Sequence, residues 1–215
     1  MKIGIIGATG NAGLAILKEA VARKHEVTAI VRNQAKLKSE LGGTEVQVIE
    51  KEVFDLTADD LKQFDVVVNA FATIPPKAYL HIDLAAKLIH LFRENEATRL
   101  FFIVGAGSLQ TGADNHLLLE DLKQTPDSES WIAIPENQFK ELEFLRMIDN
   151  VDWVAVSPGV TFQHGDAKPL IVGENHLLFN QNEESITSSG TLAVAILNEI
   201  EGAKYRQSRF TVIDD

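Results

Sequence analysis

The sequence of 215 residues contains no cysteine, and no apolar run approaches the roughly 20 residues that a membrane span requires. Without cysteine the chain can form no disulfide, no thiolate metal site and no cysteine nucleophile, which suits a reducing compartment. We therefore expect a cytoplasmic protein. The N-terminus also lacks the layout of a signal peptide, because the apolar run Ile3–Ile6 leads directly into a glycine turn.

Positive charge is also scarce. The 20 Lys and Arg residues are outnumbered by 31 Asp and Glu residues, which gives a formal net charge of −11. An acidic surface repels both nucleic acid and anionic membranes, so we expect neither as a partner. We expect a small-molecule substrate, and a phosphorylated cofactor is compatible with this charge because the field inside a cleft can oppose the net charge. We expect a monomer or a homodimer.

The six histidines show no spacing that is typical of a metal site. Neither His-x-x-x-His nor His-Glu-x-x-His occurs, and the nucleophile pattern Gly-x-Ser-x-Gly is also missing. We therefore expect no bound metal. His116 and His164 lie in two segments that are predicted below to be loops, where either could contact a substrate.

Short apolar runs alternate with amphipathic segments, which indicates an α/β fold with a doubly wound parallel sheet. The predicted strands are Lys2–Ile6, Glu26–Val31, Val46–Ile49, Val66–Ala70, Leu100–Val104, Trp153–Ser157 and Phe210–Ile213. The predicted helices are Ala12–Arg23, Ala35–Leu41, Ile82–Arg93, Glu136–Ile148 and, after a cap at Ser188 or Ser189, Leu192–Ile200.

Two segments interrupt this alternation, the acidic stretch 111–130 and the Gly-, Pro- and Asn-containing stretch 158–184. Both follow the carboxyl ends of predicted strands, where open α/β sheets bind ligands, so both are candidate lids or substrate walls. Ordinary surface loops would explain them equally well. We expect a single domain, 1–215, in which 158–190 and 208–215 form a small substrate-side region.

The most informative motif is the glycine turn that follows the first predicted strand. Gly7, Gly10 and Gly13 lie between the strand and a helical pattern, the arrangement of a diphosphate-binding turn. Gly7 permits the tight turn, Gly10 lets the backbone approach a pyrophosphate, and Gly13 lets the helix pack closely on the sheet. The helix N-terminus offers free N–H groups to the anion. The motif therefore predicts a dinucleotide-binding site.

The end of the second predicted strand indicates which dinucleotide is preferred. An NAD site commonly has an acidic residue there, which binds the ribose hydroxyls, but this chain has Arg32. A guanidinium can pair with a 2′-phosphate and stack on adenine. We therefore expect a preference for NADP(H), with NAD(H) still possible.

Several further segments resemble the atypical short-chain dehydrogenase/reductase group, whose members have a Rossmann fold that binds NAD(P). Within that group the chain most resembles the small bacterial proteins named NADH-flavin reductases, which are similar to NmrA-like proteins and to biliverdin reductase B. The similarity covers essentially the whole chain and rests on residues 7–13, 29–33, 53–56, 65–70, 104–109, 153–159, 176–179 and 209–212.

The resemblance implies roles for individual residues. Those implied around the pyrophosphate are Gly7, Thr9, Gly10, Asn11 and Ala12. Arg32 would meet the adenosine phosphate, and Glu52 and Val53 would lie beside the adenine. Ala70 and Phe71 would pass near the nicotinamide ribose. Ser108 would face the nicotinamide, and Lys140 would hold its ribose, so these two are the candidate catalytic residues.

One departure from the group affects the expected chemistry. Typical members use a Tyr-x-x-x-Lys pair for proton transfer, whereas the residue four positions before Lys140 is Glu136. The two tyrosines of the chain, Tyr79 and Tyr205, lie elsewhere in the sequence. Hydride transfer to a flavin ring requires less assistance from protein side chains, because solvent can supply the protons.

We therefore expect an NAD(P)H-dependent oxidoreductase that passes hydride to a flavin, a quinone or a similar planar acceptor, with the flavin as substrate rather than prosthetic group. The first alternative is a non-catalytic NAD(P)-sensing regulator of the NmrA-like kind. The second alternative is a nucleotide-sugar epimerase or dehydratase, which the short C-terminal region and the missing tyrosine disfavour.

Overall fold

The computed structural model describes residues 1–93, 95 and 97–215. Within them the strands are β1 (Lys2–Ile6), β2 (Glu26–Val31), β3 (Gln47–Glu50), β4 (Val66–Asn69), β5 (Arg99–Ile103), β6 (Gln110–Thr111), β7 (His116–Leu117), β8 (Trp153–Pro158), β9 (Thr161–Gln163), β10 (Leu170–Gly173), β11 (Ile186–Ser188) and β12 (Ser208–Asp214). The helices are α1 (Asn11–Ala22), α2 (Gln34–Leu41), α3 (Ala58–Leu61), α4 (Leu80–Leu91), α5 (Leu118–Gln124), α6 (Ala133–Arg146) and α7 (Ser189–Gly202). No helix in this part of the chain is both long and apolar enough for a membrane span.

Eight of the strands form one sheet in the order β10-β12-β8-β5-β4-β1-β2-β3. From β1 the chain proceeds outward through β2 and β3, and then crosses to β4 on the other side of β1. This reversal is the topological switch point of a Rossmann-like fold, and it opens a crevice at the carboxyl ends of β1 and β4. The fold class predicted from the sequence is confirmed, and each predicted strand and helix is present, with its ends at the predicted residues or within a few residues of them.

Two apolar cores lie on opposite faces of the sheet. On one face α1 and α7 pack against each other over residues such as Ile5 and Val154. On the other face α4 packs against α6 over residues such as Phe102 and Trp153. Helix α7 begins where the sequence predicts, because the Ser188 side chain accepts a hydrogen bond from the Thr191 backbone N–H.

The sheet departs from the parallel arrangement at one edge. β10 runs antiparallel to β12, with Leu170 opposite Asp214. The chain leaves β8 at the carboxyl edge of the sheet and turns back without a crossover helix, so its next strand in the sheet runs in the opposite direction. Residues 208–214, which the sequence assigned to a substrate-side region, form the interior strand β12.

The two interrupting segments contain regular secondary structure. The first contains the hairpin β6–β7 and the helix α5, and the second contributes β9, which pairs in parallel with β11. These elements stand beyond the carboxyl ends of β5 and β8. Of these elements, α5 and β9 contribute to one wall of the crevice.

Candidate functional site

The glycine turn is built from contacts that exclude side chains at two of its three glycines. Gly7 has a φ of +77°, and a Cβ there would lie 2.5 Å from the carbonyl oxygen of Ala70. A Cβ on Gly13 would lie 2.3 Å from the carbonyl oxygen of Gly7. These two glycines therefore allow β1, α1 and β4 to approach closely, as the sequence motif predicts.

Gly10 has a different role. Its φ of −85° is accessible to any residue, and a Cβ there would meet only the Gly7 carbonyl oxygen, at 3.3 Å. The fold itself therefore tolerates a small side chain at Gly10. The residue instead faces the crevice, where it lines both cavities described below. A Cβ would fill space that a pyrophosphate needs, so this cradle fits a dinucleotide.

The first cavity is a cleft of about 620 Å³ on the β2 side of the glycine turn. Of the residues that the sequence analysis named for the cofactor, those lining it are Gly7, Thr9, Gly10, Arg32, Glu52, Val53, Ala70 and Phe71. The exposed side chains of Phe54 and Ile74 also line it. Sequence patterns had not singled these two out, because an exposed apolar residue in a connecting segment shows no periodicity.

Four cationic side chains line this cleft, although the chain as a whole is acidic. They are Arg32, Lys36, Lys51 and Lys77. Lys51 pairs with Asp60 at 2.7 Å, and hydrogen bonds from Lys51 and Thr57 lower the pKa of Asp60 to about 2. Arg32 is exposed and makes no hydrogen bond or ion pair with another described residue. The cleft therefore favours an anionic ligand beside the end of β2.

The second cavity, of about 740 Å³, adjoins the first at Gly10, Ala70, Phe71 and Ala72. Asn11 and Ala12, both named from the sequence, also line this cavity, whereas Gly13 lines neither. The remaining wall is mostly apolar and comes from β5, α5, α6 and β8–β9: Ile103, Val104, Gly105, Ala106, Gly107, Leu118, Leu122, Thr125, Trp131, Pro135, Gln138, Pro158, Gly159, Val160 and Phe162. The lining contains no charged side chain.

The two candidate catalytic residues do not reach this cavity. Ser108 is 3% exposed, and its hydroxyl donates to the Gly105 carbonyl oxygen at 3.0 Å on the far side of the cavity wall. The 3₁₀ turn Ala106–Ser108 directs this side chain inward, so Gly105, Ala106 and Gly107 form the wall instead. Lys140 is exposed on α6 and lines neither cavity. Their predicted contacts with a nicotinamide have no support in this geometry.

Helix α6 presents a different residue to the cavity. Gln138, two positions before Lys140, lines the apolar cavity. A Cβ on Gly105 would lie only 2.4 Å from the Gln138 side-chain oxygen. Glu136, at the usual tyrosine position, forms an ion pair with Lys123 at 3.0 Å. Neither Tyr79 nor Tyr205 lines either cavity. The role of Gln138 depends on the rotation of α6, which the sequence pattern does not specify.

The two loop histidines lie outside the cavity as well. His116 is held between Asp114 and Asp121, at 2.6 and 3.0 Å, and these carboxylates raise its pKa to about 9. His164 lies 3.3 Å from the Asn11 side-chain oxygen, in a groove between α1 and α7. The described residues include no cluster of three or more side chains suited to a metal ion.

A buried pair of titratable side chains lies next to a residue of the cavity wall. His81 on α4 and Glu141 on α6 are 3% and 1% exposed, with Nδ1 and Oε2 3.7 Å apart. Burial lowers the pKa of His81 to about 4 and raises the pKa of Glu141 well above its usual value. The His81 ring packs edge-on against Phe71, which lines both cavities, with ring centroids 5.5 Å apart. Burial therefore favours the neutral form of both side chains.

We expect the substitution Glu141→Gln to stabilise the protein at alkaline pH. The pKa of Glu141 is higher in the folded state than in the unfolded state. Its protonated form therefore stabilises the fold fully below about pH 4.5, and this stability is lost as the pH rises toward the folded-state pKa. The amide stays neutral, so its advantage over the wild type should grow by about 1–3 kcal/mol between pH 5 and pH 8. Urea unfolding at both pH values measures this difference.

The matched control is Glu143→Gln, an exposed carboxylate of the same helix that pairs with Arg146, which should show no such pH-dependent gain. A Glu141→Gln protein that is less stable than the wild type at pH 8 would contradict the prediction. It would show that His81 and Glu141 form a charged pair.

Comparison with known proteins agrees with this geometry. The NAD(P)H-binding family matches residues 7–200, a span that includes the glycine turn and the walls of both cavities. The chain belongs to this family. The uncharacterized protein YwnB of Bacillus subtilis (strain 168) is 38% identical over 217 residues, which covers 100% of this chain and 99% of YwnB.

Two solved structures of relatives share the whole fold. A protein from Lactobacillus casei is 37% identical with a TM-score of 0.92, over 100% of this chain and 99% of its own. A protein from Streptococcus pneumoniae TIGR4, called a "putative NADH-flavin reductase", is 32% identical with a TM-score of 0.88 over the full length of both chains. The resemblance inferred from the sequence motifs is thereby confirmed at the level of the family.

Proposed function

We propose that this protein is an oxidoreductase that uses NADPH to reduce a flavin, a quinone or a similar planar aromatic acceptor. The observation that carries the proposal is the pair of adjoining cavities, one cationic and one apolar, which meet at Gly10 and Phe71. The cationic cleft suits the adenosine phosphates, and the apolar cavity is large enough for a nicotinamide beside a second aromatic ring. The similarity to the Streptococcus pneumoniae protein supports this choice of acceptor.

When bound, the reduced dinucleotide supplies a hydride. The residues of this chain contribute binding, orientation and the exclusion of water. Gly10 and the N-terminus of α1 would hold the pyrophosphate, and Arg32 would pair with the 2′-phosphate. The apolar wall that includes Trp131 and Phe162 would stack against the acceptor and keep water away from it. Because no ionisable side chain lines this cavity, the chain offers no general acid there, and the protons come from solvent.

The test is NADPH oxidation, followed by absorbance, with FMN, riboflavin or menadione as the acceptor. We expect turnover well above the reaction without protein for at least one of them. Tight binding that distinguishes NADPH from NADP⁺, without any turnover, would instead support a sensing protein. The absence of a tyrosine at position 136 favours that second function as strongly as the first.

The substitution Ser108→Ala should lower turnover only modestly, by about tenfold or less, because Ser108 supports the cavity wall and transfers no proton. Lys140→Ala is the matched control and should leave the kinetic constants close to wild type, since Lys140 is exposed away from both cavities. Steady-state kinetics across a pH range measures both effects. A loss of several orders of magnitude for Ser108→Ala, with dinucleotide binding intact, would instead indicate acid–base catalysis on a carbonyl.

A further inference from the structure

A buried arginine without a counter-charge lies beneath the apolar cavity. Arg209 on β12 is 5% exposed, and each of its hydrogen-bond partners is neutral. Its Nη1 donates to the hydroxyls of Ser157 at 3.1 Å and Ser108 at 3.3 Å. Its Nη2 donates to the Ser108 carbonyl oxygen at 3.3 Å and to the Asn175 side-chain oxygen at 3.1 Å, while Nε has no partner among the described residues.

The lack of a carboxylate partner distinguishes Arg209 from the other largely buried arginine of the sheet. Arg99 on β5 pairs with Glu199 at 2.7 Å, whereas none of the described carboxylates lies within ion-pair distance of Arg209. Burial lowers the pKa of Arg209 to about 10, so the guanidinium remains charged at neutral pH. A buried charge that is not paired is costly to retain, which indicates that it has a function.

The hydrogen bonds of Arg209 connect it to the cavity wall. Both hydroxyls that accept from it, those of Ser108 and Ser157, in turn donate to the Gly105 carbonyl oxygen, at 3.0 and 3.2 Å. Gly105 lines the cavity, as do Gly107 and Pro158, the immediate chain neighbours of the two serines. A positive charge therefore lies directly behind a thin wall of small residues, in a region of low dielectric where water screens it little.

We propose that Arg209 makes the apolar cavity selective for planar ligands that carry, or acquire, a negative charge. The inference rests on the proposed function, because an acceptor gains charge there. The acceptor takes a hydride from the reduced dinucleotide, whose C–H bond breaks to leave the oxidised nicotinamide. It then carries one additional negative charge until a solvent proton neutralises it. Arg209 stabilises this anion without touching it, so it is a positioning and electrostatic residue.

The experiment measures how the pKa of a planar phenol changes when it binds. The direction of this change distinguishes the effect of a charge from the effect of apolar packing. Alizarin is a planar hydroxyanthraquinone whose visible absorption shifts when its phenol ionises. An apolar cavity alone would raise the pKa of the bound phenol by desolvation, whereas the guanidinium would lower it. We expect binding to the wild-type protein to lower the alizarin pKa by at least about one unit.

Two variants separate charge from shape. Arg209→Lys keeps the charge and should keep a lowered alizarin pKa. Arg209→Gln removes the charge and should raise the pKa above that of free alizarin. Arg206→Gln, which removes an exposed arginine just before β12, is the control for net charge and should behave as the wild type.

A raised alizarin pKa in the wild-type protein, or no alizarin binding at all, would overturn the proposal, as would a lowered pKa in a folded Arg209→Gln protein. If Arg209→Gln does not fold, as circular dichroism would show, the sign of the shift in the wild type and in Arg209→Lys decides the question. A failure of NADPH oxidation with every acceptor counts against the proposed function alone, because the titration requires no turnover.

Discussion

Replacing Gly10 by valine should abolish binding of NADPH and NADH while leaving the protein folded. The backbone of Gly10 is extended, with φ −85° and ψ 169°, which suits a β-branched residue, and its Cβ would meet only the Gly7 carbonyl oxygen at 3.3 Å. The side chain would instead project into the cradle that both cavities share. We expect a loss of more than about 100-fold in affinity for either dinucleotide.

Fluorescence titration provides the measurement, because Trp131 lines the cavity whereas Trp153 is fully buried in the core. Urea unfolding of the same variant should give a stability within about 1 kcal/mol of the wild type. The matched control is Gly202→Val, at a glycine with no atom within 4 Å of its would-be Cβ. A Gly10→Val protein that binds NADPH normally would show that the ligand does not use this turn.

The substitution Arg32→Ala should weaken NADPH binding by about 1.5–3 kcal/mol, which corresponds to roughly 10- to 150-fold, and should leave NADH binding nearly unchanged. The reason is that Arg32 lines the cleft at the end of β2 and has no protein partner among the described residues, so its guanidinium is free to pair with a 2′-phosphate. Titrations with both dinucleotides measure the two losses.

Lys38→Ala is the control for this experiment, because Lys38 is an exposed cation of the same helix as Lys36 but does not line the cleft. It should change neither affinity by more than about twofold, the size of a screened surface effect. Equal losses of NADPH and NADH in Arg32→Ala would mean that Arg32 stacks on the adenine or supports the loop. The preference for NADP(H) would then be wrong.

Local sequence patterns predicted the Rossmann-like fold and the cofactor side of the site. The Ile3–Ile6 run with Gly7, Gly10 and Gly13 predicts strand, turn and helix because the motif is recognisable from sequence spacing. The position of Arg32 in the cleft follows from the same kind of pattern, since the end of a parallel strand at the switch point must lie at the crevice.

The lining of the apolar cavity was decided by the tertiary structure. One 3₁₀ turn determines that Gly107 rather than Ser108 faces the cavity. The rotation of α6 against α4 determines that Gln138 rather than Lys140 faces it. The antiparallel strand β10 and the interior position of β12 likewise result from long-range pairing rather than from local pattern.

The amino-acid sequence by itself therefore determined the fold class, the diphosphate turn and the absence of a tyrosine–lysine pair, because each depends on residues that are close together in the chain. The tertiary structure alone brought together His81 with Glu141, and Arg209 with Ser108 and Ser157. Arg209 and Ser108 are 101 positions apart in the chain, and only the pairing of β12 with β8 and of β8 with β5 places a buried charge behind the cavity wall.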